Sequence, residues 1–144
     1  MARAERKPPK RHKKDMANKK LKNKKKKARI VDLANLYIKS SFNNTMLSAC
    51  DENGDVFAWA SAGKAGFKGT KKSTPFAATQ AARAVIDRMR EFQVREIKVY
   101  VSGVSTGRDA ALRAFGSSGF KISSIKDTTP IPHNGCRAKK PRRV

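Results

Sequence analysis

Acidic residues are scarce in this chain, which has 11 Asp and Glu against 34 Lys and Arg in 144 residues and a formal net charge of +23. A metal-dependent hydrolase needs carboxylates that converge on its ion. Here the acids are scattered over predicted hairpins, helix first turns and the polar side of a helix, and none makes a convincing pair. The sequence therefore predicts a protein that is not an enzyme and has no catalytic residues.

Cysteine and histidine are also too few to build a metal site. Cys50 and Cys136 lack CxxC spacing, which indicates free thiols in a reducing compartment. His133 and Cys136 form only half of a zinc site. The stretch GVSTGR at 103–108 is one residue too short for a nucleotide-binding P-loop. We therefore expect neither a metal nor a cofactor.

Long apolar runs are missing as well. The chain has no stretch of membrane-spanning length, no lipidation signal and no N-terminal secretory signal. The basic ends also lack an apolar face at helical spacing, so we expect no membrane partner. The sequence favours a cytoplasmic protein.

The basic charge is distributed unevenly. Residues 1–29 contain 15 basic and 2 acidic residues (net +13), residues 30–136 contain 14 and 9 (+5), and residues 137–144 contain 5 and none (+5). We expect a disordered Lys-rich N-terminal arm at 1–29, an α/β RNA-binding domain at 30–127 and an extended basic C-terminal arm at 128–144. Because the phosphates of a nucleic acid would neutralise such a charge, we expect a nucleic acid as the partner.

The first half of the domain has the pattern of an antiparallel meander. Alternating apolar residues predict strands at Leu33–Ser41, at Thr45–Cys50 and at Val56–Ala62. Asn53-Gly54 predicts the hairpin between the second and third strands. We assign Met46 to the core, and Trp59 to the core or to the edge of the domain.

The second half alternates helix and strand. A helix is predicted to begin at Thr74-Pro75, with Thr as the cap, Pro at the first position and an apolar stripe formed by Ala78, Ala81, Ala82, Val85 and Met89. Strands at Glu96–Ser102 and Phe120–Asp127 flank a second helix at Asp109–Phe115 and should be parallel. The fold class is therefore α/β, with a five-stranded mixed sheet and two main helices.

Two loops have the composition of a polyanion-binding surface. Residues 63–75 contain four lysines, a glycine at every third position from 63 to 69 and no acid. Residues 103–108 join a strand end to a helix N-terminus, where an anion is favoured, although a plain turn would look the same. Phe67 either stacks on a base or anchors its loop. We expect the first loop to brace RNA from one side while the C-terminal arm enters from elsewhere.

Several of these stretches resemble the bacterial form of the universal ribosomal protein S11 family. They are SFNNT at 41–45, WASAGK at 59–64, GKAGFKGTKKSTPFAATQAA at 63–82, the strand-loop-helix at 103–115 and DTTPIPHNGCR at 127–137. The resemblance covers about Leu33 to Val144. It implies a three-layer ribonuclease-H-like fold without the nuclease's metal-binding carboxylates. One departure is the loop SGVSTGR, which lacks the proline that is typical of the family.

The resemblance also implies a role. It points to a structural constituent that binds 16S ribosomal RNA on the platform of the small subunit, beside neighbouring ribosomal proteins and near the messenger RNA exit site. A ribonuclease-H-like metal-dependent nuclease and a free histone-like nucleic-acid-compacting protein are the alternatives. The implied RNA contacts are Lys64, Phe67, Lys68, Lys71, Lys72, Arg108, Arg113, His133, Asn134, Arg137, Lys139, Lys140, Arg142 and Arg143.

Overall fold

A computed structural model describes residues 30–137 and 139–140 of the chain. The predicted N-terminal arm at 1–29, together with Arg142 and Arg143, lies outside the described residues. The sheet has the order β3-β2-β1-β4-β5, with β1 and β2 antiparallel, β2 and β3 antiparallel, and β1, β4 and β5 parallel. The strands are β1 Leu33–Ser41, β2 Asn44–Cys50, β3 Val56–Ser61, β4 Glu96–Ser102 and β5 Lys121–Asp127.

Two helices connect these strands, as predicted. Helix α1, Pro75–Glu91, leads from β3 to β4, and helix α2, Thr106–Gly116, leads from β4 to β5. A short 3-10 helix at Gly69–Ser73 precedes α1 and was not predicted. The α/β class and the five-stranded mixed sheet are confirmed.

Helix α2 begins three residues before the predicted Asp109. The sequence predicts Gly107 in the preceding loop, but this residue is buried within the first helical turn. There it packs so closely that an added Cβ would collide with the hydroxyl of Thr45 and press on Ala78. A glycine at this position therefore allows the helix to pack closely against its neighbours. The sequence does not indicate this role, because the surrounding residues are typical of a loop.

The hydrophobic core lies on one face of the sheet. Alternate residues of β1 point into it, and the predicted Ala-rich stripe of α1 is fully buried against them. Helix α2 packs on the same face and inserts the fully buried Phe115. The small side chains of α1 allow its backbone to lie close to the strands.

Both helices therefore form a single layer. The third layer that the family resemblance implied has no counterpart among residues 30–137. The sheet face turned away from the helices is open, and it exposes 51% of Met46 and 56% of Trp59. The assignment of Met46 to the core is wrong, because its neighbours Thr45 and Leu47 point towards the helices. Trp59 lies at the domain edge, on the edge strand β3.

Candidate nucleic-acid interface

The topology brings four strand ends to one edge of the sheet. Strands β1, β4 and β5 are parallel, and β3 runs in the same direction because β2 is antiparallel to both β1 and β3. The segments that follow these strands emerge together, and we name them the loop edge: residues 42–43, 62–74, 103–105 and 128–137. The C-terminal segment thus leaves from the same end of the sheet as the lysine-rich loop, but from the opposite edge strand, since β3 and β5 are the two outer strands. That the arm meets RNA from elsewhere than the loop stays a prediction.

The lysine-rich loop is fixed from within by backbone hydrogen bonds. The amide of Ala62 donates to the carbonyl of Thr45 at 3.0 Å, and the amide of Phe67 donates to the carbonyl of Ala62 at 3.2 Å. The half-buried Phe67 ring meets Phe76 edge-to-face, with 5.9 Å between the ring centroids. This contact ties the loop to the first turn of α1, which favours the anchoring interpretation of Phe67.

The start of α1 has the predicted cap. The hydroxyl of Thr74 accepts a hydrogen bond from the amide of Ala77 at 3.3 Å and donates to the carbonyl of Lys71 at 2.8 Å. Pro75 occupies the first turn, where a missing amide hydrogen costs nothing. The cap therefore joins the helix to the 3-10 turn that carries Lys71 and Lys72.

The four lysines of this loop differ in how they are held. Lys68 and Lys71 are exposed, and Lys72 is half-buried. The Lys64 ammonium donates to the carbonyl of Trp59 at 3.2 Å and lies 3.9 Å from the centroid of the Trp59 ring. Among the described residues, no carboxylate forms an ion pair with any of the four. Their charge is therefore available to an external anion.

The loop between β4 and α2 is bound to the C-terminal segment. Gly103 has a φ of +94°, its amide donates to the hydroxyl of Thr129 at 3.1 Å, and its carbonyl accepts from Arg108 at 3.4 Å. Thr106 donates to the carbonyl of Ser73 at 3.5 Å, so the N-termini of α1 and α2 lie side by side. Gly103 is the first residue of the loop that was predicted to bind an anion, and its amide already donates its hydrogen bond to Thr129.

Asp127 is the residue of this candidate site that the sequence alone does not indicate. Its carboxylate accepts from the hydroxyl of Thr129 at 2.6 Å, from the amide of Thr129 at 2.9 Å and from Arg108 at 2.7 Å. The Thr129 hydroxyl first, then its amide and the Arg108 guanidinium, lower the pKa of Asp127 from 3.8 to about 2. An Asp at a strand end with a Thr two residues later is the available signal, because it is typical of an Asx turn.

A cavity of about 620 Å³ opens at the two helix N-termini. Its polar wall includes Ser105, whose hydroxyl makes no capping hydrogen bond to α2. Two exposed apolar side chains, Phe42 and Val104, also contribute to the lining. The full lining is Phe42, Ser73, Val104, Ser105, Thr106, Arg108 and Asp109. The position beside two helix N-termini suits an anionic group such as a phosphate.

The remaining predicted contacts fall in two places. His133, Asn134 and Arg137 are exposed on the C-terminal segment of the loop edge, and Lys139 and Lys140 are exposed beyond it. Asn134 adopts a left-handed φ of +56°. Arg113 is exposed in the last turn of α2, roughly 10 Å along the helix axis from its N-terminus. The start of the C-terminal segment, at Thr128 and Thr129, therefore lies at the same end of the sheet as the loop lysines, whereas Arg113 lies away from that end.

The described residues also bear on metal binding and membrane insertion. No three His, Cys, Asp or Glu side chains of residues 30–137 lie where they could share a metal ion. Cys50 is buried and Cys136 is exposed, and both are free thiols. No helix in the described ranges is both long enough and apolar enough to span a bilayer.

Comparison with known proteins finds extensive similarity. The family model described as Ribosomal protein S11 matches residues 34–143. "Small ribosomal subunit protein uS11" of Borreliella burgdorferi (strain ZS7) is 50% identical over 121 residues, which cover 84% of this chain and 93% of that protein. The protein of the same name from Nitratidesulfovibrio vulgaris (strain DSM 19637 / Miyazaki F) is 48% identical over 121 residues, covering 84% and 94%. The family match includes every segment of the loop edge.

Proposed function

Because the chain belongs to the ribosomal protein S11 family, whose members have a structural role in the small ribosomal subunit, we propose that it binds 16S ribosomal RNA. In this proposal it scaffolds the platform near the messenger RNA exit site, next to neighbouring platform proteins, in the cytoplasm. The observation that carries the proposal is the convergence of three basic or helix-initiating segments at the loop edge.

The mechanism that we propose is neutralisation of phosphates by a preformed surface. Lys68 and Lys71 extend from a turn that hydrogen bonds fix in place, so little conformational freedom is lost when they meet RNA. Lys64 and Lys72 add charge on the same loop. His133, Asn134, Arg137 and the basic residues that follow then extend along the RNA backbone. The C-terminal arm at 128–144 and the N-terminal arm at 1–29 would add phosphate contacts around the domain at 30–127.

Arg108 has two parts in this proposal. Its guanidinium holds Asp127 and thereby sets the direction in which the C-terminal segment leaves the sheet. A guanidinium has five N–H donors, so donors that do not face Asp127 or Gly103 remain for a phosphate oxygen. Recognition would therefore rest on phosphates, sugars and RNA shape rather than on base edges.

The salt dependence of binding to 16S ribosomal RNA tests this surface. We would replace the four loop lysines by Gln and compare a matched variant with four basic residues replaced away from the loop edge. The lysine variant changes Lys64, Lys68, Lys71 and Lys72, and the control changes Arg83, Arg88, Arg95 and Lys121.

Each lost phosphate contact should reduce the slope of log K against log salt by about 0.7–0.9, so the lysine variant should lose roughly 3. The control should retain nearly the full slope. Equal losses in both variants would show that only total charge matters and would overturn the proposed surface. Binding to duplex DNA as tight as binding to 16S RNA would favour the histone-like alternative.

A further inference from the structure

The open face of the sheet carries a row of aromatic residues. Trp59 on β3 lies opposite Ser48 on β2, Ser48 lies opposite Tyr37 on β1, and Tyr37 lies opposite Tyr100 on β4. Lys126 on β5 continues the row beside Tyr100. Directly opposite residues of paired strands share one face of a sheet. We name this row, from Trp59 to Lys126, the outer-face row.

Two of the three aromatic side chains of the row are exposed, Tyr100 is half-buried, and the Lys64 ammonium lies 3.9 Å from the centroid of the Trp59 ring. Tyr37 and Tyr100 stack on each other, with ring centroids 4.9 Å apart and an angle of 15° between the planes. Tyr37 is 44% exposed and Trp59 is 56% exposed. Paired strands lie about 4.8 Å apart, so Trp59 and the tyrosine pair stand roughly 10 Å apart as two separate platforms.

The charge around this row is positive. Lys39 and Lys98 project from the neighbouring outward positions of β1 and β4, and Lys126 closes the row. Among the described strand residues, Glu96 is the carboxylate whose position in the strand places it on the open face. It is the first residue of β4, and the ammonium of Lys121 lies 3.7 Å from its carboxylate. An anionic partner with flat rings fits both properties, because the lysines attract its charge and the aromatic rings offer stacking surfaces.

We propose that the outer-face row binds an unpaired RNA segment by stacking bases on Trp59 and on the Tyr37–Tyr100 pair. Successive bases stack on exposed aromatic rings in single-strand binding proteins, and nearby lysines neutralise the backbone. The inference takes its ligand class, RNA, from the proposed function but concerns the open face of the sheet, which meets the loop edge at Trp59, where the Lys64 ammonium lies 3.9 Å from the ring centroid. A protein neighbour is less suited to this face, because docking would desolvate Lys39, Lys98 and Lys126 with no carboxylate supplied from the row.

The single tryptophan provides a direct test on the full-length protein. Oligoadenylate should quench the fluorescence of Trp59 at least twofold on saturation, because a base stacks on the indole. Heparin, a polyanion without bases, should bind the basic surfaces and leave the emission nearly unchanged. Equal quenching by the two ligands, or oligoadenylate binding without quenching, would overturn the proposal.

A pair of variants tests the tyrosine platform. Replacing both tyrosines by Ser (Tyr37→Ser, Tyr100→Ser) should weaken oligoadenylate binding about tenfold or more at every salt concentration. Replacing both by Phe keeps the stacked rings and should retain the affinity. An affinity loss of the same size in the Phe variant, or no loss in the Ser variant, would contradict stacking.

These outcomes separate this inference from the loop edge. A loop variant that keeps Lys64 on the Trp59 ring, with Lys68, Lys71 and Lys72 replaced by Gln, should flatten the salt slope and keep the twofold quenching of Trp59. The Ser variant should keep the slope. A small subunit in which Trp59 is shielded from iodide but forms no crosslink to RNA would indicate a protein on this face and would overturn the inference.

Discussion

The Nη2 atom of Arg108 lies 2.7 Å from the Oδ2 atom of Asp127 and joins the first turn of α2 to the last residue of β5. The same carboxylate accepts two hydrogen bonds from Thr129. The hydroxyl of Thr129 in turn accepts a hydrogen bond from the amide of Gly103. Two segments of the loop edge, 103–105 and 128–137, are thereby fixed to each other and to the first turn of α2. The C-terminal segment consequently starts from a defined position, which has measurable consequences.

Removing the carboxylate should release the start of the C-terminal segment. In Asp127→Ala, we expect faster amide hydrogen exchange at Thr129 and Gly103, because the acceptor of the first is gone and the acceptor of the second is no longer held. Exchange is measured by NMR. Asp87→Ala is the control, since Asp87 forms only an exposed pair with Arg90 at 4.0 Å. Unchanged exchange at Thr129 would show that the carboxylate does not hold the segment.

The lowered pKa of Asp127 predicts that the free energy of unfolding depends on pH in the acidic range. Its folded-state pKa of about 2 lies below the usual 3.8, so the ionised form stabilises the fold. This contribution is present above about pH 4 and is lost as the pH falls towards 2. NMR titration of the carboxyl carbon checks the value, and Thr129→Val and Arg108→Gln should each raise it. A native pKa near 3.8 would contradict the observed geometry.

The two helix caps predict unequal effects of similar substitutions. Thr74→Ala should lower the free energy of unfolding by about 1 kcal/mol, because the amide of Ala77 loses its acceptor. Ser105→Ala serves as the matched control and should change the stability much less, since its hydroxyl makes no capping hydrogen bond. Urea denaturation measures both. A larger loss at Ser105 than at Thr74 would contradict the assigned caps.

Gly103 should tolerate no side chain. It has a φ of +94°, and an added Cβ would overlap the carbonyl oxygen of Ser40. Gly119 has a similar φ of +88° but open space around it. Alanine at either position would have the same backbone strain, so the difference between the two variants measures the collision alone. We expect Gly103→Ala to lose about 1–3 kcal/mol more free energy of unfolding than Gly119→Ala. Thermal unfolding of both variants measures this difference, and equal losses would contradict it.

Periodicity and turn chemistry predicted most of the fold. The alternation in Leu33–Ser41 and Glu96–Ser102 matches the strands residue for residue, and the Thr74 cap fixed the start of α1. The start of α2 was predicted too late, because a buried glycine and a loop glycine look alike without their neighbours. Met46 was misassigned because an exposed apolar residue on an open sheet face follows the same alternation as a buried one.

Parts of the candidate site depend on contacts across the sequence. Composition alone indicated the lysines of the loop. The pairing of Arg108 with Asp127 joins residues 19 positions apart in different elements, and no local pattern shows it. The loop and the C-terminal segment lie at the same end of the sheet because β3 and β5 run in the same direction. The sequence predicted a shared direction only for β4 and β5, the strands that the second helix links.

The role of Phe67 can be decided with a substitution that separates packing from stacking. Phe67→Leu keeps an apolar side chain against Phe76 but removes the flat ring. If Phe67 anchors the loop, this variant should bind 16S RNA as tightly as the original protein and lose about 1 kcal/mol of stability at most. Phe67→Ser should lose more stability, because the apolar contact is removed entirely. Filter binding and urea denaturation measure the two properties. A tenfold loss of RNA affinity in Phe67→Leu at unchanged stability would instead assign the ring to a base, and the anchoring interpretation would then be wrong.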